Sequence, residues 1–294
     1  MMKKPLIAAI ATMAVAAGAQ AESKFYGKMN VAAGYESEAE VFGIESYASR
    51  LGVKGSEDLG SSKVVYQAEY ETDIDGDGTV FKQRNAFVGL AYSGVGTVKM
   101  GVIDTPLKLS QGKFDQFNDV VDMKTVISAE DRAANQLNFT TEKLGGLQIS
   151  ASAILAEDGS SDAYSASAVY KTDSLFASVA YNTKVSEESV IRATGVFKMG
   201  DLQLGVLVNQ VDSDDVGAGE DELAFGVSAA MKAGQSTFKA QYESGDQEDA
   251  GATAIKVGMD RKLAKTTKAY VYANTFESDA VEATAVQVGL EHKF

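Results

Sequence analysis

Residues 283–294 read ATAVQVGLEHKF, a strict two-residue alternation that runs to the end of the sequence. Extended backbone puts Val286, Val288, Leu290, His292 and Phe294 on one face and Ala285, Gln287, Gly289, Glu291 and Lys293 on the other. The first face suits hydrocarbon and the second suits water, the pattern of a strand in the wall of a membrane barrel. Working outward, Leu51 and Val53 alternate with Arg50, Gly52 and Lys54, and Val206 and Val208 with Gly205, Leu207 and Asn209. A soluble core of this length would cluster its large aliphatics; here they are spread thinly along the chain.

Composition agrees with strands. Two Pro, 28 Gly, 12 Tyr and 13 Phe in 294 residues, with heavy Val, Thr and Ser usage, favour sheet over helix. Alternating segments bounded by turn residues predict sixteen strands: 24–35, 46–55, 63–72, 81–91, 97–103, 135–142, 147–156, 163–171, 174–184, 189–199, 201–211, 222–232, 235–243, 252–262, 266–276 and 283–294. Successive strands at this spacing need only hairpin connections. The expected fold is therefore all-β, a transmembrane 16-stranded antiparallel up-and-down β-barrel, since closure removes edges that hydrocarbon cannot satisfy.

The first 21 residues read as an export signal: Lys3 and Lys4, an apolar run from Leu6 to Gly18, then Ala19-Gln20-Ala21 as a cleavage site. Residues 22–294 would form one barrel domain. Nothing after Ala21 offers about 18 consecutive apolar residues, so a membrane location requires strands rather than a helix. Loss of Lys3 and Lys4 takes the formal charge from −14 to −16. Such acidity excludes nucleic acid as a partner, because phosphate binding needs a basic surface. With no Cys there is no disulfide framework.

Charge is also unevenly placed. Seven connections, 36–45, 71–79, 157–162, 186–189, 212–222, 243–249 and 277–282, hold 26 Asp and Glu and no Lys or Arg. The short turns between them carry Lys143, Lys171, Lys198, Lys232, Lys262 and Lys265 against Glu57, Asp58, Asp173 and Asp201. Pairing of the first and last strands puts both termini at the short-turn, periplasmic end and the acidic windows outside. An acidic outer rim concentrates cations; it also suits bridging of divalent ions to anionic surface lipid.

One connection breaks the rhythm. Asp104 to Ala134 spans 31 residues, too long for a hairpin turn, and contains Leu107, Phe114, Phe117, Val120, Val121, Met123, Val126 and Ile127. Apolar residues in that number predict a third outer loop folded back into the barrel. Inward positions facing it include Lys28, Arg50, Lys54, Lys82, Arg84 and Lys99, while the loop offers Asp104, Asp115, Asp119, Asp122, Glu130 and Asp131. A basic wall opposite an acidic loop would set a transverse field across a narrow aqueous gap, or form salt bridges that pin the loop. Catalysis is disfavoured: the single His, His292, lies on the lipid-facing side of the last strand, away from any acid/base pair. The run Asp73, Asp75, Asp77, Gly78 imitates a calcium loop but has Arg84 where a bidentate Glu is needed, so no metal and no cofactor is assigned.

Several stretches resemble the Gram-negative general diffusion porins. FYGKMNVAAG (Phe25–Gly34) is similar to that family's first strand, and SRLGVKGSEDLG (Ser49–Gly60) to its second strand and first inner turn. FKQRNAFVGL (Phe81–Leu90) and GTVKMGVIDTP (Gly96–Pro106) resemble the strands that lead into its constriction loop. The likeness is specific over residues 25–135 and covers most of the remainder in organisation. It implies a homotrimer in the outer membrane, in contact with its lipid and lipopolysaccharide, passing small hydrophilic solutes and ions by passive diffusion. It places Lys28, Arg50 and Arg84 in the basic cluster, with Lys54 and Lys82 following them and Asp115, Asp119 and Asp122 as candidates for the acidic side. Phe294 matches the terminal aromatic of the signal that the barrel-assembly machinery reads. The loop departs from the family in one respect: KFDQFNDVVDM lacks the frequent acidic-aromatic-Gly signature. The expected function is a diffusion channel with mild cation preference; a solute-specific channel and a structural or adhesive barrel are the alternatives.

Overall fold

Alternation becomes a single closed antiparallel sheet in the computed structural model, which describes residues 21–76, 78–157, 159, 161–212, 222–247 and 250–294. The expected signal segment therefore lies outside the described residues except for Ala21. The first strands are β1 (Ala21–Glu36), β2 (Val41–Ser46), β3 (Arg50–Asp58), β4 (Ser62–Glu71), β5 (Lys82–Tyr92) and β6 (Gly96–Asp104). After the long loop come β7 (Arg132–Thr141), β8 (Leu147–Ile154), β9 (Ala163–Lys171), β10 (Leu175–Val185), β11 (Glu188–Met199) and β12 (Leu202–Asp212). The ring finishes with β13 (Glu222–Ala233), β14 (Ser236–Gly245), β15 (Ala252–Lys262), β16 (Thr267–Glu277) and β17 (Glu282–Lys293).

Seventeen segments make sixteen staves. Val31–Glu36 of β1 pair with β2 whereas Ala21–Lys28 pair with β3, so β2 and β3 are two pieces of one stave laid end to end. The expected strand 46–55 is thus interrupted, and Val41–Ser46, assigned from sequence to an acidic connection, is strand. The break has a local cause. Ala48 takes a left-handed φ of 46°, and Asn30 bridges the gap, its backbone N–H donating to Ser49 Oγ at 2.9 Å and its side-chain Nδ2 to the Tyr47 carbonyl at 3.1 Å. Above it, Tyr35 and Phe42 are cross-strand neighbours with ring centroids 4.8 Å apart.

β1 and β17 close the ring in a register running from Lys28↔Lys293 to Glu36↔Ala285. The faces sort as alternation requires: Val286, Val288 and Leu290 are exposed on the outside, and Gln287, Gly289 and Glu291 turn inward against neighbouring strands. At the end carrying Ala21, connections are short (59–61, 93–95, 142–146, 172–174, 200–201, 234–235 and 263–266). The opposite end carries 37–40, 72–81, 105–131, 155–162, 186–187, 246–251 and 278–281. Six of the seven acidic windows fall at this second end; most of the seventh, 212–222, lies outside the described residues.

The long loop has structure of its own. Thr105 caps a four-residue helix, α1 (Pro106–Leu109), its Oγ1 accepting the Lys108 N–H at 3.1 Å, with Pro at the first helical position where no N–H is missed. Two single turns follow, Asn118–Val120 and Met123–Thr125. Three apolar anchors hold it to the wall. Leu107 packs with Ala180, Val190 and Val211; Phe114 with Val196, Leu207, Ala224 and Ala254; Phe117 with Ala32, Tyr270 and Tyr272. Those wall residues sit on β1, β10–β13, β15 and β16, and one segment reaches strands so far apart around a ring only from its enclosed side. Each anchor removed from water stabilises the seat by about 1.5–3 kcal/mol.

Candidate pore constriction

Strand pairing creates the first half of the site. Lys28 on β1 and Arg50 on β3 are register partners on the inward face, and both reach Asp119 of the loop. Lys28 Nζ donates to Asp119 Oδ2, and Arg50 Nη2 donates to the same oxygen at 3.2 Å. Burial of the Asp119 carboxyl opposes its ionisation, but the adjacent charges of Lys28 and Arg50 outweigh that and hold its pKa below the ordinary carboxylate value.

The wall continues onto β4 and β5. Arg84 Nε donates to Glu69 Oε1 at 2.9 Å and its Nη1 to Glu71 Oε2 at 2.5 Å, while Arg50 Nη1 lies 3.6 Å from Glu69 Oε1. A bulge makes this possible. Ala68 pairs with Ala86 but Tyr70 with Gln83, so β5 carries an extra residue that changes which side chains face inward. Below the bulge Phe87 and Gly89 line the inside; above it Arg84 and Lys82 do. Asn85, at the bulge, donates its Nδ2 to Asp104 Oδ2 at 2.7 Å and accepts the Asp104 N–H at 2.8 Å. Asp104 also takes Arg132 Nη2 at 2.9 Å.

Three cations, Lys28, Arg50 and Arg84, therefore interleave with three anions, Asp119, Glu69 and Glu71, and the cluster is formally neutral. Glu69 and Glu71 are absent from the sequence-derived set. Their inward parity is readable, but acids and other polar residues look alike at luminal positions, and only the pairing shows which cation each one meets.

Other named residues lie elsewhere. Lys54 stacks over the Tyr26 ring, Nζ to centroid 4.9 Å, and Tyr26 in turn donates to Glu69 at 2.9 Å. Lys82 is exposed, in register with Glu71. Asp115 sits against the far wall. Its Oδ1 accepts the N–H groups of Phe117 at 2.9 Å and Asn118 at 3.0 Å, with Gln241 Nε2 at 3.3 Å, and burial raises its pKa. Asp122 caps the second turn through the Lys124 N–H at 3.1 Å. Of the three loop acids, Asp119 alone contacts the basic wall among the described residues. Phe294 exchanges backbone hydrogen bonds with Gly27 in both directions, each 3.1 Å, and its ring lies 6.1 Å from Phe25. In the outer connection 72–81, Asp73 accepts its own turn's N–H groups from Asp75 and Gly78, and Asp75 Oδ2 accepts the Ser46 N–H at 2.5 Å. Asp77 lies outside the described residues.

Cations on the far wall grip the loop backbone. Arg192 donates to Glu130 Oε1 at 2.5 Å, to the Ser128 carbonyl at 2.7 Å and to Asn209 Oδ1 at 3.0 Å. Lys256 bridges Glu243 at 2.7 Å and the Asp122 carbonyl at 3.1 Å; Lys239 bridges Asp260 at 2.8 Å and the Gln116 carbonyl at 2.7 Å. Carbonyls freed by irregular backbone are thus satisfied by fixed positive charge.

A closed, polar-lined ring crossed by one internal loop is the architecture of a diffusion channel. The family model for Gram-negative porins matches residues 7–281. The chain belongs to the Gram-negative porin family. This porin is 26% identical to the major outer membrane protein P.IB of Neisseria meningitidis serogroup B over 336 aligned positions, which cover all of both chains. Its fold is shared with an anion-selective porin from Comamonas acidovorans, at a TM-score of 0.81 and 22% identity over 94% of this chain and all of the other. It also matches OmpT of Vibrio cholerae in a trimer form, at a TM-score of 0.73 and 16% identity over 94% and 100% of the two chains. The porin is an outer-membrane β-barrel that forms a water-filled channel for passive diffusion of small hydrophilic solutes and ions, and is not an enzyme.

Proposed function

We propose that this porin is a homotrimeric, mildly cation-preferring channel whose narrowest passage is bounded by Lys28, Arg50 and Arg84 on the wall and Asp119 on the loop. The observation that supports the preference is neutralisation. Glu69, Glu71 and Asp119 offset the three basic side chains, so the cluster supplies little net field, and the acidic outer connections dominate what an ion meets on entry. The Comamonas relative is described as anion-selective; here the wall is neutralised by its own acids, and the acidic outer connections favour the opposite sign. Lys54 and Lys82 modulate the passage from its flanks, and Asp115 and Asp122 shape the loop that bounds it.

Residues 1–21 are a cleaved export signal, Phe294 is recognised by the barrel-assembly machinery, and the outer acidic loops meet lipopolysaccharide through divalent ions. The trimer form recorded for the Vibrio relative supports the oligomeric state. Planar-bilayer recording in asymmetric KCl tests the proposal. A reversal potential favouring potassium and closures in groups of three are expected, whereas chloride preference or single independent closures would overturn the selectivity or the trimer respectively.

A further inference from the structure

Two cavities flank the loop, and their charges differ. The outer one, about 240 Å³, is lined by Glu36, Glu45 and Asp122, with Lys256 already committed to Glu243. The inner one, about 230 Å³, is lined by Lys143 and Lys171 among Thr, Ser, Gln and apolar groups, with no acid. The inner half of the wall repeats that sign. Lys24 and Lys54 are register partners on inward positions of β1 and β3, and Lys99 projects inward from β6 over the Phe87 ring at 4.8 Å. Three inner-end acids are engaged: Asp58 caps the Gly60 N–H at 2.7 Å, Asp260 lies between Lys239 and Lys268, and Glu291 meets Lys293 at 3.0 Å.

We infer that this porin is a current rectifier, because an acidic outer mouth and a lysine-lined inner vestibule are placed in series on either side of the charge-neutral Lys28–Asp119–Arg50–Glu69–Arg84–Glu71 cluster. The inference rests on the channel reading above and on the outer placement of the long connections.

The physics is that of a junction between two oppositely charged conduits. Fixed carboxylates fill the outer mouth with mobile cations, and fixed ammonium groups fill the inner vestibule with mobile anions. When the outer side is positive, both mobile species drift toward the neutral cluster, ions accumulate there and resistance falls. When the outer side is negative, both drift away, the junction is depleted and resistance rises. The asymmetry depends on screening. It is strong where the Debye length of about 10 Å at 0.1 M approaches pore dimensions and fades at 1 M, where it is about 3 Å.

The test uses the purified porin in a planar bilayer with identical KCl on both sides. Since the chain has no cysteine, Ala39→Cys, exposed in the 37–40 connection, can be biotinylated, and streptavidin added to one chamber then reports which way each channel faces. At about 0.1 M KCl, current with the outer side positive should exceed that at the opposite voltage by about twofold, and the ratio should fall toward one at about 1 M. Lys143→Glu with Lys171→Glu should abolish the asymmetry while conduction persists; the milder Lys143→Gln with Lys171→Gln should reduce it and covers the case in which the first pair fails to fold. Equal currents at low salt, a larger current with the outer side negative, or a ratio unmoved in conducting variants would overturn the inference while leaving the channel intact. Absence of any conductance would instead defeat the channel reading, and the rectifier with it.

Discussion

Arg192 and Glu130 form an ion pair 2.5 Å long in which the arginine side chain is fully shielded and the glutamate side chain is 7% exposed. The pair joins β11 to the last turn of the loop, and the same guanidinium also holds the Ser128 carbonyl and Asn209. Breaking a buried pair by deleting one member strands the other charge, at about 3–5 kcal/mol. Arg192→Met should therefore loosen the loop's far anchor, seen as new tryptic cleavage at Lys108, Lys113 or Lys124 in the folded, detergent-extracted barrel. Burial already pushes the Glu130 carboxyl up to about 7 against the pull of Arg192. Glu130→Gln removes the charge but keeps an acceptor for the guanidinium, and should loosen the loop less than Arg192→Met does.

The Asp119 contact should fail in acid. Its folded pKa lies below the ordinary value of about 3.9, so its contribution is complete above about pH 4 and is lost as pH falls through the folded pKa. Single-channel recordings should be quiet at neutral pH and gain open-channel noise in strong acid. Asp119→Asn should show that noise at neutral pH, with little further change on acidification. A variant as quiet as the parent would refute the pin.

Neutralising the wall should bias the pore toward cations. Arg50→Gln with Arg84→Gln leaves Glu69, Glu71 and Asp119 opposed by Lys28 alone. A charge at about 7 Å in water is worth about 0.6 kcal/mol, about threefold on potassium and about threefold in the opposite direction on chloride, so each loss should raise the potassium-to-chloride permeability ratio by up to about sevenfold at low salt. Reversal potentials in asymmetric KCl measure this, and an unchanged ratio would remove both arginines from the passage.

Phe114 needs the glycine opposite it. A Cβ at Gly226 would run into Phe114 Cζ and lie 3.2 Å from Phe114 Cε1, and one at Gly205 would lie 2.5 Å from Ser228 Oγ and 3.3 Å from Phe114 Cδ2. Gly226→Val should displace the ring, at about 1–3 kcal/mol for overpacking. Lower thermal stability and cleavage at the neighbouring Lys113 are the expected readouts.

Strands were the legible part, because each must alternate between lipid and water and so prints a two-residue period. The exceptions have local causes that the period does not encode. Tyr47–Ser49 breaks a stave through one left-handed residue, and the Asn85 bulge moves Arg84 to the inward face by one extra position. The Lys28 and Arg50 placement followed from strand faces and family likeness. Their loop partner followed only as one of three candidates: Asp119 lies 91 residues from Lys28 in sequence, and its neighbours Asp115 and Asp122 carry the same charge yet serve the turns of their own loop. Glu69 and Arg192 are not distinguishable in the sequence for the same reason, since a luminal wall is polar throughout and only three-dimensional pairing separates a partnered charge from a solvated one.

The seam between β1 and β17 also orders events in time. Tyr270 and Asn30 share a hydrogen bond across 240 residues, as do Gln287 and Tyr47. β1 is synthesised early and β17 late, so for almost the whole of translation the first strand has one edge with nothing to pair with. The β1–β17 seam can close only after synthesis, whatever the order in which the hairpins between them form, and until then the two edges must be kept from pairing with other chains.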